Sequence, residues 1–98
     1  MAGEASVAET IDAATLSNVS SSASSVSILA ANSRRKGLVL VNDSTQAVYI
    51  AFAATASATS FTFKMTDASM LIMDPPIYTG PISAIWAAAN GSMRVTEF

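Results

Sequence analysis

The chain has no histidine and no cysteine, and only 12% of its 98 residues are charged. Without imidazole or thiolate, Ser-His and Cys-His nucleophiles, zinc fingers, haem ligation through these groups and disulfide frameworks are all excluded. The missing cysteines leave the redox compartment open. Five basic residues stand against seven acidic ones, so the basic face that neutralises nucleic-acid phosphates is lacking. The glycines Gly37, Gly80 and Gly91 are too far apart to form a phosphate cradle, which removes P-loop and dinucleotide fingerprints. No apolar run approaches the roughly 18 residues of a membrane span. Met1 to Asp12 carries Glu4, Glu9 and Asp12 and none of the basic start of a secretory signal. The expectation is a protein used without export by its own signal, binding neither nucleic acid nor membrane.

What the chain does have is small side chains. There are 19 Ala, 15 Ser and 9 Thr, giving a neutral, hydroxylated composition. Because alanine makes up so much of the 51% hydrophobic content, the large core formers suffice for one thin two-layer domain and little more. Residues 1–23 hold few large apolar side chains (Val7, Ile11, Leu16, Val19) among Ala, Ser and Thr, and read as an extended or partly ordered arm.

From Ser25 onward the signal is period two, the mark of strands. Val26 and Ile28 alternate with Ser25 and Ser27. Leu38 to Val41 is an unbroken apolar run, which predicts a central strand covered on both faces, stopped by the turn formers Asn42-Asp43-Ser44. Val48, Ile50 and Phe52 share a face, and the short link before them predicts a hairpin with the preceding strand. Phe61, Phe63 and Met65 alternate with Ser60, Thr62 and Lys64. Met70 to Met73 is a further short run, ended by Asp74-Pro75-Pro76. Ile82, Ala84 and Trp86 alternate with Ser83, Ile85 and Ala87, which places Trp86 in the core. Asn90-Gly91 then predicts a two-residue hairpin into the strand that ends the chain. Roughly six or seven short strands and no convincing helix predict an all-β antiparallel sandwich or jelly-roll-like domain over 24–98.

Little in the chain points to catalysis. Asp43, Asp67 and Asp74 each have a turn or loop role, so no convergent carboxylate pair of the kind a glycosidase needs is expected. No metal or cofactor is expected either. Arg34-Arg35-Lys36 holds three of the five positive charges. It reads either as a solvated strand entrance or as an inter-subunit contact for Glu4, Glu9 and Asp12 of a neighbouring copy's arm. Tyr78, in a proline-flanked loop, is the candidate exposed aromatic. With Asp74 or Asn90 nearby it would serve a carbohydrate-binding module.

Several segments carry a resemblance: Arg35-Lys36-Gly37-Leu38, Val41-Asn42-Asp43-Ser44, Val48-Tyr49-Ile50, Thr55 to Phe61, Pro76 to Ile82, Ile85-Trp86-Ala87 and Arg94-Val95-Thr96-Glu97-Phe98. Together they resemble the small β-rich proteins of tailed-bacteriophage virions over residues 24–98. An Arg-x-Gly start, an Asn-x-Ser turn, a Tyr-Thr-Gly loop and a terminal Val-Thr-Glu strand are the shared elements. The resemblance implies a non-enzymatic virion component made in the host cytoplasm. It would be a head decoration or cement protein on the capsid surface, working as a homotrimer or other symmetric cluster on the major capsid protein. The base of a head fibre or tail spike is the alternative. The arm is outside the resemblance.

Overall fold

A computed structural model describes residues 11–98. Eight strands lie among the described residues: β1 (Thr15–Ser20), β2 (Val26–Leu29), β3 (Leu38–Asp43), β4 (Val48–Ala51), β5 (Phe63–Met65), β6 (Met70–Ile72), β7 (Ile82–Trp86) and β8 (Ser92–Glu97). They form two antiparallel four-stranded sheets, ordered β1-β8-β3-β6 and β2-β7-β4-β5.

The pairing is nested. β4 pairs with β5, β3 with β6, β2 with β7 and β1 with β8. The chain is therefore one long antiparallel ribbon, turned back at the loop after Ala51 and folded so that alternate strand pairs fall in opposite sheets. That is the connectivity of a jelly roll, and it meets the expected all-β sandwich.

Three local readings change. The strands Leu38–Asp43 and Val48–Ala51 lie in different sheets, so the short link at Ser44 crosses between layers and is not a hairpin. Asn90-Gly91 likewise carries the chain from β7 in one sheet to β8 in the other. Gly91 sits at φ +70°, and a Cβ there would run into the Asp43 carbonyl and Ser44, so the dipeptide signal marks a tight turn but the wrong partner. Finally, Thr15–Ser20 is a strand paired along its whole length with β8, so the sandwich begins before residue 24. Its Ser, Thr and Asn content suits a solvated edge, where only Val19 packs on the core.

Alternation places the core. Leu38, Leu40, Met93 and Val95 from the first sheet meet Val48, Ile50, Ala84 and Trp86 from the second, all buried. Trp86 is 2% exposed, as its phase with Ile82 and Ala84 predicts. The unbroken run of β3 is covered on one face only. Leu38, Leu40 and Asn42 point inward, while Val39 and Val41 look out from the far side of the sheet, half-buried.

Candidate functional site: two buried locks and two apolar outer faces

Arg35 is the centre of the first polar cluster. It is flanked by exposed Arg34 and Lys36 but is itself buried. Its Nε donates to Glu97 Oε2 at 2.7 Å, Nη1 to the carbonyls of Tyr78 at 2.8 Å and Gly80 at 3.1 Å, and Nη2 to the carbonyl of Ala30 at 2.8 Å. A planar fork with fixed donors can tie a carboxylate and three carbonyls at once, which a lysine cannot. The Arg-x-Gly, Tyr-Thr-Gly and Val-Thr-Glu segments are thereby brought into one knot at one end of the sandwich.

Tyr78 belongs to this knot. Its ring stacks on Phe52 at 4.6 Å between centroids, and its Oη donates to the Pro81 carbonyl at 2.9 Å. Gly80 lies directly against the phenol, where a Cβ would collide with it.

Asn42 is the second centre, fully buried at the opposite end of β3. Its Nδ2 donates to the carbonyls of Gln46 and Thr66, each at 2.8 Å, while Oδ1 accepts from Trp86 Nε1 at 3.1 Å and Ser44 Oγ at 2.9 Å. One side chain thus fixes the β3–β4 crossing, the turn before β6 and the tryptophan. Above it, Asn90 Oδ1 accepts from Thr45 N and Oγ1.

The sequence candidates therefore separate. Arg35 and Tyr78 spend their described donor positions within the chain, on internal carbonyls and a carboxylate, and Arg35 is buried while Tyr78 is half-buried. Arg34, Lys36 and Asp12 lie on the surface. Glu4 and Glu9 lie outside the described residues. Tyr78 and Asn90 sit at opposite ends of β8, about 17 Å apart along a six-residue strand, so they do not converge on one sugar. The partner missed by sequence reading is Glu97, whose signal was a lone carboxylate in the terminal strand.

The outer faces carry the remaining candidates. On the first sheet, the pairings Leu16–Thr96–Val39–Ile72 and Asn18–Arg94–Val41–Met70 run across all four strands. Leu16, Met70 and Ile72 are 76%, 62% and 59% exposed. On the second sheet, Phe61, 42% exposed, tilts against Tyr49 at 4.9 Å, and Lys64 Nζ lies 5.5 Å from the tyrosine ring centroid. The missed signal for the first face was the unbroken runs of β3 and Met70–Met73, which put apolar side chains on both sides of their strands. Among the described residues no three ligating side chains gather as a metal site.

No family model, curated protein or solved structure matches the chain.

Proposed function

We propose that this protein is a structural subunit of a tailed-phage virion, a decoration or cement protein that self-associates and bridges neighbouring copies of the major capsid protein. The observation that carries the reading is that each outer face of one sandwich carries exposed large apolar side chains. A bridging subunit needs at least two separate adhesive surfaces on a body that does not deform between them. Leu16, Met70 and Ile72 supply one such surface, and Phe61 with Tyr49 supplies the other.

The buried clusters support the same role. Arg35 and Asn42 tie the loops at both ends of the sandwich, so binding orders little that is loose, and the entropy cost of association is small. Small Ala and Ser side chains allow close approach, and repetition on a lattice raises effective concentration far above what one contact supplies.

Quantitative mass spectrometry of purified particles tests the reading. Shell-wide copy number supports decoration. A few copies per particle indicate the fibre or tail-spike base instead, and absence from particles overturns both.

A further inference from the structure

We infer that the outer face of the first sheet is a self-association surface, occupied by the same face of a second copy across a two-fold axis. This deepens the self-association part of the virion reading, on which it rests only for its biological setting.

The face is defined by register. Leu16, Val39 and Ile72 line one row, Val41 and Met70 the next, and the third row holds Ser20, Ser92 and Asp43. Arg94, in the second row, donates Nε to Asp43 Oδ2 at 3.0 Å, with Nη2 at 2.9 Å. Five large apolar side chains, with Thr96 and Asn18 among them, thus lie to one side of a cation and an anion that cancel.

That charge arrangement selects the occupant. Each chain carries a formal net charge of −2, so copies repel weakly at a distance. The face itself is neutral, with its opposite charges side by side. Turned about a two-fold axis, it can set Arg94 of one copy near Asp43 of the partner subunit while apolar rows meet apolar rows. The surface is complementary to itself, which is the requirement for an isologous contact. Sheet faces also pack naturally on sheet faces at a small angle, as the two sheets already do inside the sandwich.

The two-fold has a consequence for oligomer number. A patch that pairs with its own copy closes at two subunits and cannot be shared around a three-fold axis, so this contact makes a dimer where the virion resemblance implies a trimer.

Area sets the strength. Three strands of six residues and one of three, spaced about 4.8 Å apart, present about 340 Å² of sheet face, less than half the roughly 800 Å² per partner of a standard stable interface. The exposed residues 11–14, including Ile11, lead into β1 at the edge of the face. The pairing is therefore reversible and concentration-dependent.

Sedimentation equilibrium of the full chain across a micromolar to high-micromolar series tests this. The expected mass rises from 10.1 kDa to twice that value. Ile72→Lys and Met70→Glu, both at exposed edge positions, each weaken the dimer by about a hundredfold, because a two-fold counts a roughly tenfold loss twice. Their thermal unfolding as monomers is unchanged. Phe61→Ser, on the other sheet, leaves the dimer intact. Trp86 fluorescence verifies the fold of each variant, and Leu16→Lys on a different strand gives the same dissociation should a β6 variant unfold. A monomer throughout the series, a trimer, or a dimer indifferent to these changes overturns the inference. Absence of the protein from virions leaves the mass result untouched, so the two readings fail separately.

Discussion

Arg35 and Glu97, 62 positions apart in the chain, form an ion pair at 2.7 Å in which the arginine side chain is fully enclosed and the glutamate 16% exposed. Removing one member of such a pair strands the other without its counter-charge, and here it also strips donors from three carbonyls. Arg35→Met is expected to lose about 3 kcal/mol or more of stability, read from the urea midpoint. Glu97→Gln keeps an acceptor for Nε and loses less, about 1–2 kcal/mol. Equal losses would mean the carbonyl contacts contribute nothing.

Asn42 makes a second prediction through Trp86, the single tryptophan. Asn42→Ala leaves the indole Nε1–H without its acceptor in the core and takes one donor each from the Gln46 and Thr66 carbonyls, which keep Ser44 Oγ and Ser69, at a cost of about 1–3 kcal/mol. In the parent protein, with Trp86 2% exposed, blue-shifted emission resistant to iodide quenching is expected. In the variant, quenching rises as water or motion reaches the ring, and an unaltered quenching constant with unaltered stability would contradict the role given to Asn42.

Two turn residues have opposite expected signs. Gly91→Ala forces a methyl into the Asp43 carbonyl at positive φ, and loses more than the roughly 1 kcal/mol typical of the conformational term alone. Ala68 already occupies φ 56° with a side chain. Ala68→Gly relieves that strain and gains up to about 1 kcal/mol, less the entropy glycine adds to the unfolded chain. Thermal melts of the two variants are expected to move in opposite directions.

Nested pairing has a kinetic signature. Only β4 and β5 are joined by a direct connection within a sheet, while β1 waits for β8 at the far end of the chain. Because each long loop must close before its contacts stabilise anything, refolding is expected in the millisecond-to-second range. Stopped-flow Trp86 fluorescence checks this, and microsecond folding would be inconsistent with the topology.

The places where sequence reading succeeded and failed follow the same physics. Alternation was enough to find most strands and to put Trp86 inside, because side-chain period is a local property of the backbone. Partner choice is not local. The link after Asn42 is short enough for a hairpin, and what sends the chain to the other sheet is the buried amide of Asn42 holding the Gln46 carbonyl, a contact with no signature in residue type. β1 was hard to see because an edge strand of Thr, Ser and Asn needs only one inward apolar residue. Arg35 looked like part of a solvated charge run, yet Arg34, Arg35 and Lys36 alternate exposed, buried, exposed, so the period-two rule applied to the charges would have turned it inward. The outer apolar face was legible in outline, since unbroken runs imply two covered faces. The chain covers one.

Electron cryomicroscopy of purified particles tests the central claim most directly. The expected result is density for an eight-stranded sandwich on the outer capsid surface, in contact with more than one capsomer and repeated with the lattice. A particle shell wholly accounted for by other proteins, with no such density, would contradict it.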